Sequence, residues 1–251
     1  MITETAGPLV HVTLQEAPEA GDSYGQTKAL IASELEILKE NGCTASDVIR
    51  ARMYVTASYD RAAGRKAYSE TFLPIRPTYT VLTVEPFENP KTLVTFEMWA
   101  IRGCGTKDSP YQKENFSSGA PFEAIAGYSR MVKAGPVVVL GGTTSVQPDG
   151  SLLAKGDGKG QETYVVNKAL SFLKKAGAGP DDVVCVRRFV TPQYREESAV
   201  LTDLLGEKPG RTVTDIPIIH LSRDGQYIEI EMTAILPDAP DWAKTDLART
   251  I

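Results

Sequence analysis

The chain has 251 residues and a formal net charge of −5, and its 42% hydrophobic and 24% charged residues are typical of a globular protein with one large domain or two of ordinary size. The acidic balance gives no general attraction to nucleic acid or to an anionic membrane surface. No apolar run approaches the roughly 20 residues that a membrane-spanning helix needs.

Three cysteines and two histidines without metal-ligand spacing argue against a metal site and against a Ser-His-Asp triad. The first residues of the chain lack the basic and apolar segments of a signal peptide. An odd number of cysteines also gives no disulfide framework. We therefore expect a protein of the reducing cytoplasm.

Two helical patterns and three strand patterns follow one another in the first half of the chain. Apolar residues at helical spacing predict a helix over residues 26–41, which Gly42 ends. A second, shorter helix is predicted over residues 59–72, before the Pro-Ile-Arg sequence that ends at Arg76. Alternating polar and apolar residues predict strands over residues 47–56, 78–84 and 93–101.

The second half of the chain repeats this pattern at a constant distance. A predicted helix over residues 161–176 is followed by a strand over residues 182–191, a helical stretch over residues 194–205 and a Pro-Gly-Arg sequence. The offset is 135 for every matched pair, among them Gln161 minus Gln26, Gly177 minus Gly42, Arg187 minus Arg52 and Arg211 minus Arg76. Such a long, gap-free offset indicates a tandem domain pair and not a solenoid.

Each repeat predicts the element order β-β-α-β-α-β-β, which is typical of an α+β domain with two helices packed on one face of a mixed sheet. We expect a first domain over residues 1–103 and a second domain over residues 120–238. A linker over residues 104–119, polar and rich in Gly and Ser, separates them, and a tail over residues 239–251 follows.

The two repeats differ in ways that bear on function. The first repeat has only seven residues before Pro8, so we expect it to lack its first strand. Alignment of the next strands places Leu14 opposite Gly142, and alignment of the final strands places Thr95 opposite Glu229. The first domain is therefore expected to be degenerate.

Residues 208–231 contain the pattern with the clearest chemistry. Arg211 follows a Pro-Gly turn at the start of one predicted strand, and Glu229 lies on the next. The planar arginine fork fits a substrate carboxylate, and a neighbouring glutamate can transfer protons. Glu231, two residues further along the same strand face, competes for that role. A surface ion pair is the alternative interpretation of the Arg211 and Glu229 pattern.

Several motifs occur together in the second repeat: Gly-Tyr-Ser at residues 127–129, a small-residue turn at Gly141 and Gly142, a helix followed by Asp-Val-Val, Pro-x-Arg before a strand, and a closing Ile-Glu-Ile-Glu. As a set they resemble the RidA/YjgF family of small enamine/imine deaminases. The resemblance covers nearly all of the second repeat and most of the first. It implies a chorismate mutase-like α+β fold that assembles as a trimer, with sites in the clefts between neighbouring domains.

The resemblance also implies roles for individual residues. The arginine of the family binds the carboxylate of a 2-imino or 2-enamino acid. The glutamate of the family helps to position the attacking water or to protonate groups around it. The expected catalytic residues are Glu229, Arg211 and Tyr128, and the expected substrate-binding residues are Arg211, Gly142, Val213 and Arg76. In the first repeat only Arg76 is retained.

Hydrolysis of an imine needs a held substrate, a water and a proton, so we expect no metal and no cofactor. The expected partners are a small carboxylate-bearing substrate and further copies of the chain, because the edges that two fused domains leave open need covering. The resemblance favours a trimer. Two alternatives are a cofactor-free tautomerase or other enzyme acting on a carboxylated intermediate, and a non-catalytic small-molecule-binding protein. Endoribonuclease activity, which is sometimes attached to the name of the family, disagrees with the acidic composition.

Overall fold

The computed structural model describes residues 3–195 and 199–251, which form two β-sheets with helices on one face of each. The first domain contains β1 (Thr3–Ala6), β2 (Leu9–Glu16), α1 (Ser23–Glu40), β3 (Val48–Val55), α2 (Arg61–Phe72), β4 (Thr78–Thr83) and β5 (Val94–Ile101). The second domain contains β6 (Lys113–Phe116), α3 (Pro121–Ala126), β7 (Met131–Ala134), β8 (Val137–Thr143), α4 (Gly158–Lys175), β9 (Val183–Val190), α5 (Ala199–Leu205), β10 (Thr212–Pro217) and β11 (Ile228–Ile235).

The two sheets share one strand order. The first runs β1-β2-β5-β3-β4, and the second runs β7-β8-β11-β9-β10 with β6 added beside β7. In each sheet the last pair, β3 with β4 and β9 with β10, is parallel, whereas the other pairs are antiparallel. A parallel pair needs a crossover connection, which α2 and α5 provide. The prediction of two tandem α+β domains with mixed sheets is confirmed.

The first domain does have a first strand, so the prediction that it lacks one was wrong. Strand β1 pairs antiparallel with β2, and Gly7 turns between them at a φ of 57°, as Gly135 does between β7 and β8 at the same φ. A glycine adopts this left-handed conformation without the penalty that a Cβ brings. The strand escaped detection because it is four residues long and mostly exposed, and therefore shows no apolar alternation.

Three helices begin at an aspartate that accepts a backbone hydrogen bond at the helix N-terminus, as good N-cap residues do. The caps are Asp22 for α1, Asp60 for α2 and Asp157 for α4. Helix α5 begins at Ala199, and residues 196–198 of the predicted helix over residues 194–205 lie outside the described residues. No helix in the described part of the chain is long and apolar enough to cross a membrane.

The faces of the sheets that carry no helices meet each other, and an ionic network is buried between them. Arg52 Nη1 lies 2.6 Å from Glu97 Oε1 of its own domain, and Arg52 Nη2 lies 2.5 Å from Glu231 Oε2 of the other domain. Arg50 donates a hydrogen bond to the Leu140 carbonyl at 2.8 Å. These side chains are almost completely buried, so the network joins the two domains through desolvated charges.

The chain after β11 folds back onto this interface. Ala243, Ala248 and Ile251 are buried in an apolar cluster that also contains residues of both sheets, such as Leu9 and Val139. The interface between the domains is therefore a mixed core of apolar and ion-paired side chains, covered along one side by residues 239–251.

A buried carboxyl group on α1 predicts a pH-dependent stability. Both carboxyl oxygens of Glu34 lack a hydrogen-bond partner among the described residues, and burial, followed by repulsion from Glu97, raises its pKa well above the usual value. Replacing Glu34 with leucine should increase the free energy of unfolding by about 1–3 kcal/mol at pH 8. The gain should shrink towards pH 4, because a raised folded-state pKa removes stability only as the pH rises above the unfolded value.

Urea unfolding at both pH values measures this effect. Glu36→Leu is the matched control, since Glu36 lies on the same helix, is 70% exposed and makes an ion pair 3.2 Å long with Lys39. We expect it to change the free energy of unfolding by less than about 0.5 kcal/mol. A loss of stability in Glu34→Leu at pH 8 would contradict the assignment of Glu34 as an unpaired carboxyl group.

Candidate functional site

The edge strand β4 of the first domain packs on β8 of the second, and we call the groove along this contact the cleft. The Gly142 amide donates a hydrogen bond to Thr80 Oγ1 at 3.0 Å, and the Ser129 amide donates to the Pro77 carbonyl at 3.1 Å. These contacts cross from one domain to the other within one chain. They place the start of β4 against the Gly-Tyr-Ser and Gly-Gly motifs.

A β-bulge gives Gly142 its position. Gly141 and Gly142 on β8 lie opposite the single residue Glu231 on β11, because the register shifts between the neighbouring pairs. A bulge removes a residue from the ladder and redirects its backbone groups. The first domain has the same shift between Val12 and Gln15 of β2, where Leu14 takes the equivalent position. The alignment of Leu14 with Gly142 is therefore confirmed by the register.

Glu229 is a carboxyl group of this cleft with a pKa near neutrality. It is partly exposed, and burial followed by repulsion from Glu231 raises its pKa to about 7, although Arg130 and Arg61 act in the opposite direction. Opposite Glu229 on β9 is Phe189, and opposite Thr95 on β3 is Tyr54, which the 135-residue offset matches to Phe189. The strand register therefore places Thr95 at the position equivalent to Glu229. A carboxyl group with this pKa can both accept and donate a proton at neutral pH.

Glu231 has the opposite character, although it lies on the same face of β11. Burial acts to raise its pKa, but the charges of Arg52 and Arg50 outweigh burial and lower the pKa to about 2. It therefore stays an ion-paired carboxylate at any physiological pH. Of these two glutamates only Glu229 has a pKa near neutrality, so Glu229 is the candidate for proton transfer.

Arg130 organises the second-domain side of the cleft and was not recognised in the sequence. Its Nε lies 3.3 Å from Glu123 Oε1, its Nη1 donates to the Gly142 carbonyl, and its Nη2 lies 3.4 Å from the Tyr128 hydroxyl. Glu123 is buried and also accepts a hydrogen bond from Ser117 Oγ at 2.6 Å. Arg130 immediately follows the Gly-Tyr-Ser motif, and this adjacency was the available signal.

Tyr128 and Arg76 border the same cleft. The Tyr128 ring lies 6.3 Å from the Tyr79 ring of β4, and burial raises the pKa of its hydroxyl while Arg130 opposes the rise. Arg76 directly precedes Pro77, whose carbonyl binds Ser129, and its own carbonyl accepts a hydrogen bond from Asn115 of the second domain at 2.8 Å. Arg76 is exposed and has a φ of 53°. The backbone of Arg76 thus lies at the contact with the second domain, while its side-chain Nε donates to the Leu73 carbonyl at 3.3 Å.

Arg211 and Val213 lie elsewhere in the chain. Strand β10 is the outer edge of the second sheet, where Val213 is half exposed and pairs with Val186 of β9. Glu229 pairs with Phe189, which is three residues, or roughly 10 Å, further along β9, and lies on the other side of that strand. One chain therefore brings Tyr128, Gly142 and Glu229 together near the backbone of Arg76 and leaves Arg211 and Val213 outside the cleft.

The guanidinium of Arg211 is occupied by backbone carbonyls. It donates to Val183 O at 3.1 Å, to Pro180 O at 2.7 Å and to Gly206 O at 2.5 Å. These bonds tie the start of β10 to the segments that precede β9 and follow α5. Within the described residues no cluster of three or more side chains that could hold a metal ion occurs.

The Glu229 side chain fills the space next to the Gly142 Cα, so a larger residue at position 142 should disturb the cleft. An ideal Cβ at Gly142 would lie 1.9 Å from Glu229 Oε1 and 2.9 Å from Thr80 Cγ2. Gly142→Ala must therefore displace Glu229 or open the cleft, and we expect turnover to fall by about 100-fold, the scale of a 1 Å misplacement of a catalytic group. Steady-state kinetics on the substrate defined below measures the effect.

Gly179→Ala is the matched control for this substitution. Gly179 has a φ of −121°, and the nearest atom to its ideal Cβ is Asp182 Oδ2 at 3.9 Å. We expect its turnover to equal that of the unmodified protein. Full activity in Gly142→Ala would show that Glu229 is free to move aside without loss of function.

Two mixed sheets packed on each other, each with helices on one face, define a tandem α+β protein of the chorismate mutase-like type. A chorismatase of known structure has the same fold, with a TM-score of 0.65 at 15% identity over 92% of this chain and 76% of that one. This likeness extends across both domains.

Comparisons of sequence identify the family. The family model described as Endoribonuclease L-PSP matches residues 118–236. A RutC family protein of Pyrococcus abyssi is 30% identical over 123 residues, which cover 48% of this chain and 92% of that protein. A member of the YjgF/YER057c/UK114 family from Mycobacterium tuberculosis is 33% identical, with 50% of this chain and all of that one covered and a TM-score of 0.42. The chain belongs to the RidA/YjgF family, which includes the RutC family proteins.

An uncharacterized protein of Streptomyces coelicolor is also similar. It is 37% identical over 84 residues, which cover 34% of this chain. The matched part spans 63% of the length of the Streptomyces protein.

Proposed function

We propose that this protein hydrolyses a carboxylate-bearing enamine or imine to the corresponding 2-oxo acid and ammonia, as an intermediate step of one biosynthetic or catabolic pathway. The observation that carries the proposal is Glu229, a carboxyl group with a pKa of about 7 in a cleft that Tyr128 and Gly142 also line. Membership of the RidA/YjgF family supports the reaction class.

The proposed reaction uses Glu229 twice. The enamine first isomerises to its imine, and the protonated imine is held with its carboxylate towards Arg76. The Glu229 carboxylate accepts a proton as water adds to the imine carbon. The Glu229 carboxylic acid then returns the proton to the carbinolamine nitrogen, and the C–N bond breaks. The carbinolamine hydroxyl gives its proton to the departing ammonia, so that a C=O group and ammonium remain.

Arg130 keeps the cleft in its active geometry in this proposal. Its hydrogen bonds to the Gly142 carbonyl and the Tyr128 hydroxyl fix two walls around the substrate. Its charge also holds the pKa of Glu229 below the value that burial alone would produce. Because Glu123 anchors Arg130 from behind, the positions of these groups do not depend on bound substrate.

We further propose that the chain is a homo-oligomer, with a trimer favoured. Strand β10 is an exposed edge, and an uncovered edge of this kind pairs readily with another chain. Arg211 and Val213 lie on this edge, so a second copy could bring them to a neighbouring cleft. Light scattering at three times the monomer mass supports the trimer, whereas a monodisperse monomer at working concentration removes any role for Arg211 between chains.

Release of ammonia from freshly generated 2-aminoacrylate tests the reaction. We expect a rate well above spontaneous hydrolysis, dependent on enzyme concentration. Conversion of the enamine without faster ammonia release would favour a tautomerase instead. Saturable binding of the 2-oxo acid product without any conversion would favour a non-catalytic binding protein.

A further inference from the structure

Two aromatic rings from different domains meet beside the cleft. The Tyr79 ring on β4 lies 6.3 Å from the Tyr128 ring, at an interplanar angle of 56°. Behind Tyr79 is the fully buried Tyr68 of α2, whose ring is stacked on the Tyr79 ring at 3.8 Å. Tyr79 and Tyr128 are both partly exposed. Because Tyr68 covers one face of the Tyr79 ring, the exposed part of that ring lies on the side away from Tyr68.

The hydroxyl groups of both rings already have partners. The Tyr79 hydroxyl donates to Met53 Sδ at 3.2 Å, and the Tyr128 hydroxyl lies 3.4 Å from Arg130 Nη2, from which it accepts a hydrogen bond. The ring surfaces, and not the hydroxyl groups, are therefore what these tyrosines offer to a ligand. Such surfaces bind other aromatic rings in edge-to-face or offset arrangements.

Two exposed apolar side chains extend this surface at its rim. Leu73, which follows α2, is 44% exposed, and its Cα would lie 2.7 Å from an ideal Cβ on Gly127, the residue before Tyr128. Phe122 of α3 is 50% exposed. Exposed apolar side chains that group together beside a polar cleft are typical of a ligand-binding surface.

Arg65 of α2 connects Phe122 with Tyr79. Its guanidinium carbon lies 5.1 Å from the centre of the Phe122 ring. Burial raises the pKa of Tyr79, and the charges of Arg61 and Arg65 oppose that rise, so Arg65 is also close to Tyr79. The apolar side chains therefore form one surface, which we call the aromatic subsite and which consists of Leu73, Tyr79, Phe122 and Tyr128.

The aromatic subsite adjoins the proton-transfer group. Burial raises the pKa of the Tyr128 hydroxyl, and the charge of Glu229 adds to the rise, so these two side chains lie close together. Tyr79 directly precedes Thr80, and an ideal Cβ on Gly142 would contact both Thr80 and Glu229. Because β4 is an edge strand, residues from both of its faces border the cleft. A reacting carbon next to Glu229 thus has the aromatic subsite within reach of its side chain.

We propose that the cleft selects imino acids with an arylalkyl side chain, whose aromatic ring binds to Tyr79, Tyr128 and Phe122. A short aliphatic side chain leaves this surface in water, whereas a phenyl ring covers it and removes apolar area from water. The inference deepens the proposed function and rests on it for the reaction, since it names the substrate class.

Two stable 2-oxo acids that differ only in a phenyl group test the selectivity without requiring turnover. Titration calorimetry should give at least about a tenfold tighter Kd for 2-oxo-4-phenylbutyrate than for 2-oxobutyrate, the scale for transferring a phenyl ring out of water. Added salt should leave this ratio unchanged, because the phenyl group is uncharged. Equal affinity for the two acids in the unmodified protein overturns the proposal.

Tyr79→Val tests whether the preference comes from the aromatic subsite. The strand registers place Tyr79 and Val213 at equivalent positions of the two sheets, so valine suits this strand. We expect the two affinities to fall within about threefold of each other. Since Tyr79 also stacks on Tyr68, the thermal unfolding midpoint is measured alongside.

Phe122→Ser is the second variant, because its exposed position should leave the fold intact. It should reduce the preference by at least about threefold. Full preference in Tyr79→Val overturns the proposal, and so does full preference in Phe122→Ser if Tyr79→Val does not fold.

Leu14→Ser is the matched control. Leu14 is 49% exposed and lies on β2, which β5 and β3 separate from β4. It should keep the full preference for 2-oxo-4-phenylbutyrate. A loss in Leu14→Ser as large as that in Tyr79→Val would show that the preference does not come from the aromatic subsite.

A turnover measurement separates this proposal from the reaction itself. Ammonia release from 2-imino-4-phenylbutyrate should exceed that from 2-iminobutyrate, both generated in situ at concentrations below KM, and the difference should vanish in Tyr79→Val. If neither imine releases ammonia above the spontaneous rate while the binding preference persists, the deaminase proposal fails and the arylalkyl selectivity is supported. If both imines are hydrolysed equally well by both proteins, the reaction is supported and the selectivity is overturned.

Discussion

Glu229→Gln should lower kcat by about 10²–10⁴-fold, the usual contribution of a positioned proton-transfer group. The amide keeps the shape of the side chain but cannot accept and return a proton. Because binding relies on arginines and not on Glu229, the affinity for a 2-oxo acid should change little. Steady-state kinetics for imine hydrolysis and calorimetry for product binding, measured side by side, check the two parts of this expectation.

Glu231→Gln provides the contrasting variant on the same strand. Glu231 is bound to Arg52 at 2.5 Å, and its loss should reduce stability more than it reduces the turnover of the protein that remains folded. Glu229→Gln should instead unfold at nearly the same temperature as the unmodified protein. If Glu231→Gln abolishes turnover at unchanged stability while Glu229→Gln stays active, the proton-transfer role belongs to Glu231.

The pH dependence gives an independent check on Glu229. Its pKa of about 7 means that it is mostly protonated at pH 6 and mostly ionised at pH 8. Since the carboxylate accepts the proton from water, kcat/KM should rise through pH 7 and then level off. In Glu229→Gln this rise of kcat/KM with pH should be absent. A profile that keeps an ionisation near pH 7 in the variant would assign it to another group or to the substrate.

Arg52→Met should cost about 3–5 kcal/mol in the free energy of unfolding, the scale for removing one partner from a buried ion pair. The substitution leaves Glu97 and Glu231 desolvated between the two sheets, with Arg50 as the nearest remaining cation at 3.6 Å from Glu231. Methionine has roughly the volume of the aliphatic part of the arginine side chain. The lost stability therefore reflects mainly the missing charge. Urea or thermal unfolding measures it.

Lys39→Met is the control for the loss of a paired cation at the surface. Lys39 is 73% exposed in its ion pair with Glu36, and its removal should change stability by less than about 0.5 kcal/mol. A similarly small effect of Arg52→Met would show that the buried network contributes nothing to holding the domains together.

The same network predicts acid sensitivity. The folded-state pKa of Glu231 is lowered to about 2, and that of Glu97 is also below its usual value because Arg52 and His11 outweigh burial. A lowered folded pKa contributes stability above the unfolded pKa of about 4.3, and this stability is lost as the pH falls from there towards 2. Arg52→Met should flatten that part of the stability profile.

Much of the fold could be predicted from the sequence, because helix periodicity and strand alternation are properties of short segments. The 135-residue offset is visible when the two halves of the chain are aligned. Strand β1 was missed because four mostly exposed residues carry no periodic signal. Arg130 was missed for a different reason. An arginine after a motif is indistinguishable from a surface residue until Glu123, Tyr128 and the Gly142 carbonyl are seen around it.

The sequence by itself determined that two α+β units follow one another and that Tyr128, Gly142 and Glu229 belong to the complete one. It could not determine which arginine shares their cleft. Arg76 and Arg211 occupy equivalent places in the two repeats, so the repeat alone does not distinguish them. Only the tertiary structure shows that the backbone of Arg76 is the nearer of the two within one chain, because β4 is the sheet edge that packs on β8, whereas β10 stays on the outside.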